Sequence, residues 1–558
     1  MKNMNKLLFK FTGAAVVSTF LLIAFYSCSD TWDAHYKTSS TSGSNQTLLA
    51  RIESDNNLSD FKEVLDSVKV FRETKQTSVS YSDLLNEDQS FTVWAPVNGT
   101  FDKDSLLALC QTTDGNFAVA KHFVKNHIAR YPYSVGAGVN KSVEMLNQKK
   151  EQLTPTTMGG VKIDSSNLVS KNGILHIISS QLPFSYNIYE ALTEINEFSP
   201  IGDFLKAYET KTLDISSSVP SGIVDGQTVY VDSVMNTYNM LLDDFGPIDS
   251  NDSTYWLLAP TKTAWNDAYT TVSSYFNYAY VLGKDSLQSY YTNHSLLEDL
   301  IFNAKTQPSP KDSLMSTQYS SMSTQHSSMS TQYSSDPTMH VFYHPYASDG
   351  IFSTVFDSLS CGNGTIYKIT KWPLNIQNVF FAPIKVEAER TSNLTSLVLA
   401  TANTRNITAD SISGQGYLDI VPKTTSAKWV ATFSIPNTLS GTYDVCIVLL
   451  PKSVFNAKTT DFKPNKFLAS LSYYDVSGTK QSITCNNYNL NNTDFTNNAY
   501  RVDTVKLCTF SFPTCNYGQQ TATVSLKLTC DMSTADQKTY SREIYIDCIY
   551  LKPNVANK

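Results

Sequence analysis

Charge is scarce in this chain of 558 residues: only 17% are Asp, Glu, Lys or Arg, and the formal net charge is −7. No Lys/Arg cluster is present that could track phosphates, which argues against nucleic acid as a partner. Catalytic motifs are missing as well. There is no G-x-S-x-G, no H-E-x-x-H, no P-loop, and no G-x-G-x-x-G opening a helix after a strand. A carboxylate pair for glycoside hydrolysis is defined by spatial separation, and nothing in the sequence nominates one. No two cysteines stand in C-x-x-C spacing, which disfavours zinc. The expectation is therefore a protein that is not an enzyme.

What the chain does have is self-similarity. Phe91 to Phe101, FTVWAPVNGTF, returns as Tyr255 to Trp265, YWLLAPTKTAW. Asn126-His127 returns as Asn293-His294, and Asn172-Gly173 as Asn363-Gly364. The offset between the copies, 164 and then 167 residues, jumps by 24 between His294 and Asn363. There a heptad is copied three times, over Met315–Ser321, Met322–Ser328 and Met329–Ser335. Such a pattern reads as one domain duplicated, with a low-complexity insertion over 315–335 in the second copy. In the first copy Phe91, Val93 and Ala95 alternate with Thr92 and Trp94, which predicts a strand buried on at least one face. Pro96 ends it, and Asn98 and Thr100 are N-cap types before a helical run over Phe101–Leu109. The recurring His127 and His294 favour a core or turn hydrogen-bonding role. The heptads carry too little apolar surface to offset the ordering of their backbone and are expected to be a mobile loop.

The strand into Ala-Pro before an aromatic, the Asn-His step and the closing Asn-Gly-hydrophobic strand together resemble the fasciclin (FAS1) family, over about Gln46 to Leu374. The second copy departs in having Thr365 after its closing glycine. The resemblance implies two α+β domains, at 46–186 and 187–376, and a role in adhesion through extracellular ligands.

At the start of the chain, Lys2, Lys6 and Lys10 precede an apolar run from Gly13 to Tyr26 that is too short for a durable transmembrane helix. It ends at Ser27-Cys28, which resembles the lipobox of bacterial lipoproteins. That resemblance implies a signal peptide over 1–27, lipidation of Cys28 and a tether over 28–45. Asp30 and Asp33 resemble the signal that sends some lipoproteins to the outer face of the outer membrane. An alternative is a secreted protein with an ordinary cleavage site.

From Phe380 onward alternating strands dominate: Lys428–Ile435, Gly441–Leu450, Lys466–Tyr474, Ala499–Phe512, Ala522–Cys530 and Arg542–Leu551. Their spacing predicts an all-β sandwich over 380–558. The order EAE, WVATFSIP, GTYDV, IYIDCIYLKP resembles galactose-binding-like jelly rolls and the carbohydrate-binding modules among them. In such modules first-strand glutamates and a last-strand aspartate often hold a structural calcium, which maps to Glu387, Glu389 and Asp547. A charged rim is the alternative. The apolar VCIVLLP run after Asp444 stands where glycan-binding relatives carry an Arg-Tyr run.

The last region also holds Cys446, Cys485, Cys508, Cys515, Cys530 and Cys548, which permit a disulfide framework or serve as small core residues. Beyond the tether, the triplet Asp-Ser/Thr-apolar (or Thr) occurs nine times where composition gives roughly three. It resembles the O-glycosylation acceptor of some gut bacteria, implying glycans on Ser67, Ser105, Ser233, Ser253, Ser286, Ser313, Ser358, Ser411 and Thr504. The combined expectation is an outer-membrane surface lipoprotein of two FAS1 domains and a β-sandwich. It binds an extracellular protein or glycan as an adhesin, or within an outer-membrane protein assembly. The alternative is polysaccharide capture through the sandwich.

Overall fold

The computed structural model describes residues 45–72, 75–224, 227–279, 283–307, 309–317, 340–407, 412–414, 416–454, 458–486 and 494–555. They fall into two units: residues up to Ser185 with Thr210–Tyr238, and Tyr186–Glu209 with Asn239 onward. Cys28, the 28–45 tether (apart from its last residue), Ser411 and most of the heptad insertion lie outside the described residues.

In the first unit the strand Phe91–Pro96 is buried along its whole length, more than its alternation required. Phe91, Val93 and Ala95 join one apolar cluster and Trp94 another, so the strand is covered on both faces. Central strands of this kind are usually those with a parallel neighbour. Phe91–Pro96 indeed runs parallel to Gly173–Ile178 and antiparallel to Ile128–Arg130. Asn98 does not cap the helix that follows, because Asp102 caps Lys103–Leu109. Asn98 instead accepts the Asp60 N–H at 2.9 Å and donates to the Asn56 carbonyl at 2.9 Å, holding the start of Ser59–Ser67.

The second copy repeats this layout in the second unit. Its sheet runs Ile301–Asn303, Tyr255–Pro260, Gly364–Ile369, Val355–Cys361. That matches the order Ile128–Arg130, Phe91–Pro96, Gly173–Ile178, Val161–Ser170 in the first. Register is kept too, with Phe91 opposite Gly173 and Tyr255 opposite Gly364. Gly173 and Gly364 have φ of 149° and 148°, and a Cβ on either would sit 1.9 Å from the carbonyl oxygen of Phe91 or Tyr255. Only glycine fits there. The preceding asparagines act alike: Asn172 takes the Leu48 N–H and donates to the Leu85 and Glu87 carbonyls. Asn363 does the same with Ile188, Ile248 and Ser250.

One segment departs from the order of the sequence. The hairpin of Glu209–Val224 and Gln227–Asn239 lies, by sequence, inside the second copy, yet Thr210–Tyr238 belongs to the first unit. There Asp232 is buried, paired to Lys125 at 3.0 Å, with the Tyr81 hydroxyl at 3.3 Å.

The rest of the second unit is two antiparallel six-stranded sheets that share one apolar core. The first runs Ala400–Asn406, Gly416–Pro422, Ile544–Pro553, Thr442–Leu449, Asp503–Ser511, with Ile384–Glu387 also on Ile544–Pro553. The second runs Leu394–Val398, Val430–Ile435, Val524–Cys530, Lys466–Tyr474, Lys480–Thr484, with Phe495–Thr496 on Lys466–Tyr474. This core continues into the second copy through a seam of aromatics. Tyr275 meets Phe381 at 4.9 Å, and Phe381 meets Tyr443 at 5.0 Å between ring centres. Hydrogen bonds stitch the same seam: Cys515 N–H to the Asn277 carbonyl, and Ser440 N–H to the Tyr275 carbonyl, both at 2.8 Å.

Candidate functional site

The last strand, Ile544–Pro553, organises two sites of the sandwich. Ile544, Ile546, Ile549 and Leu551 enter the core. Tyr545 joins a separate small cluster with Tyr417 and Leu450, as expected for side chains that alternate across a strand. Two strands share one edge of the last strand, end to end. Ile384–Glu387 pairs with Leu551 through Cys548, and Leu418–Ile420 pairs with Ile546 through Ile544. Asp547 falls at the break between them.

At that break two of the three predicted carboxylates, Glu387 and Asp547, come together, while Glu389 falls outside the group they form with Cys548. An oxygen of Glu387, one of Asp547 and the Cys548 sulfur lie within 4.8 Å of one another. Gly414, with φ of 63°, faces Glu389: a Cβ there would meet a Glu389 oxygen at 2.4 Å and a Glu387 oxygen at 3.3 Å. Ser413 bridges the group, its N–H reaching Asp547 at 3.0 Å and its hydroxyl donating to Glu387 Oε1 at 2.6 Å. Glu387 Oε2 is buried without a hydrogen-bond partner. Burial, with Glu387 and Glu389 adding to it, pushes the Asp547 carboxyl up to about 7. Crowded, buried carboxylate oxygens fit a hard cation that takes oxygen ligands. Cys548 is a poor ligand here, because burial raises its thiol and keeps it protonated. Ser413 carries no motif, so its part in the group was not readable from sequence.

A second feature lies at the start of the same strand. Lys452, Asp461, Lys463, Asn465, Asn497 and Tyr545 line a small polar cleft, with Glu543 at its wall. Its floor is fixed by Asn465, which donates its N–H to Asn497 at 2.6 Å and its amide to the Ser541 and Glu543 carbonyls at 3.0 and 2.6 Å. Burial, then the Glu543 carboxylate, holds the Tyr545 phenol protonated. On the same loops Phe462 and Tyr500 stack at 5.0 Å with planes 24° apart, and Tyr500 is 72% exposed. Sequence reading missed this cleft, since its residues come from separate loops. Excess tyrosine was the only signal.

Among the remaining predicted positions, Ser105, Ser286, Ser358 and Thr504 are exposed, and Ser67, Ser253 and Ser313 half-buried. Ser233 is the exception: it is buried, out of reach of a glycosylating enzyme in the folded chain. His127 and His294 also part company. His127 is buried, its Nδ1 donating to the Phe123 carbonyl at 2.8 Å and its Nε2 accepting the Leu182 N–H at 2.9 Å. His294 lies on the helix Lys284–Leu297, 3.3 Å from Asp244.

No protein-family profile matches the chain, and no curated protein matches it. Several solved structures are similar to parts of it. A FAS1 domain pair from the insect cell adhesion molecule fasciclin I matches at 12% identity, covering 59% of this chain and 97% of that one, with a TM-score of 0.18. The C-terminal family 22 carbohydrate-binding module of a Clostridium thermocellum xylanase matches at 14% identity, over 31% of this chain and 95% of the module, with a TM-score of 0.19. An N-terminal portion of a Clostridium thermocellum xylanase, crystallised with xylohexaose, matches at 11% identity and a TM-score of 0.20, over 30% of this chain. The chain spans only 28% of that xylanase portion. At such TM-scores these likenesses decide neither ligand nor mechanism.

Proposed function

We propose that this chain is a surface-displayed binding protein that captures a neutral polysaccharide through the cleft at Asn465 and Tyr500. The observation that carries the reading is the pairing of an exposed aromatic face with a pre-built polar floor. A flat ring matches the apolar face of a pyranose, and fixed Asn, Lys and carboxylate groups match its hydroxyls. Lys452 and Lys463 are balanced by Asp461 and Glu543, so the cleft has no excess charge to favour an acidic glycan. In this reading Cys28 supplies a lipid anchor to the outer membrane, and Glu387, Glu389 and Asp547 hold a structural calcium. Such an ion would supply no chemistry beyond cross-linking, and the protein acts by binding without turnover. Protein ligation by the two repeats, as an adhesin, is the competing outcome.

Affinity electrophoresis of the full chain through gels containing soluble glucan, xylan, mannan or galactan tests this. Retardation by at least one polysaccharide is expected, weakened tenfold or more by Tyr500→Ala. Tyr500 is so exposed that its loss should leave the melting temperature unchanged. No retardation by any of the four, or retardation indifferent to Tyr500→Ala, would refute the reading.

A further inference from the structure

Eight cysteines are described, all of them reduced in this structure. Six lie in the sandwich, and two of these meet. Cys485 Sγ stands 3.5 Å from Cys508 Sγ, in the core, with the residues 1% and 5% exposed. Cys485 follows the strand Lys480–Thr484 of one sheet, its N–H held by the Ala469 carbonyl at 2.9 Å. Cys508 belongs to Asp503–Ser511 of the other sheet, opposite Val445. The two sulfurs therefore face each other across the sandwich from backbones that are independently fixed.

We propose that Cys485 and Cys508 form a disulfide that joins the two sheets. A bond needs the sulfurs to close to about 2.05 Å, a movement that a change of side-chain rotamer supplies. Of the other four sandwich cysteines, Cys530 lies beside the Arg542 guanidinium at 3.4 Å, Cys548 beside Asp547, and Cys446 on the neighbouring strand opposite Lys506. Cys515 lies at the seam with the second copy, its N–H on Asn277.

The chemistry is thiol–disulfide exchange with a small-molecule or protein disulfide as oxidant. The Cys485 thiolate attacks one sulfur of the oxidant, forming a mixed disulfide and releasing one thiolate. The Cys508 thiolate then attacks the Cys485 sulfur and releases the second. Two electrons pass to the oxidant, and the two protons given up by the cysteines end on the released thiols. The two thiols can exchange roles without altering this balance. Both groups are shielded once the sheets close, so the bond forms as the chain folds or in a locally opened state.

The test equilibrates the full chain with a reduced/oxidised glutathione couple in mild denaturant, then alkylates free thiols and maps tryptic peptides. Cleavage after Lys480 and Arg501 puts Cys485 in one peptide. Cleavage after Lys506 and Lys527 puts Cys508 and Cys515 together in another, so fragmentation must assign the partner. A linked pair lighter by two hydrogens and joining Cys485 to Cys508 is expected. Reduction should lower the melting temperature by about 5 °C. Cys485→Ala should abolish both the link and the response to reductant. If both cysteines are alkylated without prior reduction, or if Cys508 links to Cys446 or Cys515, the proposal is overturned.

Discussion

His127 has both ring nitrogens engaged in the core of the first unit, and burial lowers it from 6.5 to about 4, the Phe123 carbonyl opposing part of the shift. The folded state thus prefers the neutral ring. Its contribution is fully present above pH 6.5 and is lost as pH falls through about 4, a change of roughly 3 kcal/mol. Denaturant unfolding followed by Trp94 fluorescence should show the first unit weakening over this window. Compared with His127→Gln, the wild type should have the steeper acid loss. Equal slopes would mean that the ring is solvated. Its sequence counterpart His294 lies 3.3 Å from an acidic side chain on a partly open helix, so the repeated Asn-His step was legible but its environment was not. Burial depends on what packs over a residue, which no local motif states.

Among the elements, the heptad insertion is corrected at its start. Met315, Ser316 and Thr317 are not loop. Ser313–Met315 pairs with Val341–Tyr343 in a short stem. Beyond the stem Asp299 accepts from the Ser316 hydroxyl, and His340 Nδ1 lies 2.7 Å from it. Thr317 donates to the Phe245 carbonyl at 2.7 Å. Deleting 318–338 and closing the stem with a short Gly-Ser turn should shift the melting temperature by less than about 2 °C, because closure entropy depends weakly on loop length. Deleting 315–335 should cost about 3 kcal/mol or more, since it removes the third pair and a partner of buried Asp299. Equal effects from the two deletions would refute the stem. The long strands with clean alternation, such as Lys466–Tyr474, stood out in the sequence. Ala400–Asn406 did not, being polar and at the sheet edge, nor did Gly416–Pro422, where Asp419 interrupts a run buried on both faces. The placement of the 210–238 hairpin was also hidden, because buried Asp232 finds Lys125 and Tyr81 only in three dimensions.

At the scale of the whole molecule, an ion at Glu387, Glu389 and Asp547 would join the sandwich's first strand, the Ser413 turn and its last strand. Millimolar calcium should stabilise the second unit relative to chelator by about 2.7 kcal/mol at a hundredfold excess over Kd, and raise its melting temperature accordingly. Asp547→Asn should erase the gain, and a melt indifferent to chelator would return the three residues to a charged rim. Without the ion the sign with pH is opposite to that of His127. A carboxyl raised to about 7 stabilises fully below its unfolded value near 3.8, and the benefit drains away as pH climbs through 7.

The register of the last strand also bears on mechanics. In the proposed reading, a pull applied to the sandwich at Ile384 against a polysaccharide gripping the cleft leaves near Tyr545. Ile384 sits opposite Leu551, and Tyr545 lies at the other end of the same strand. The pull therefore runs along the ladder, so its rungs share the load in shear instead of failing one by one. Under tension the relevant quantity is the rate of forced unfolding, not equilibrium stability. On that measure the four pairs from Ile384–Leu551 to Glu387–Cys548 act as a clasp.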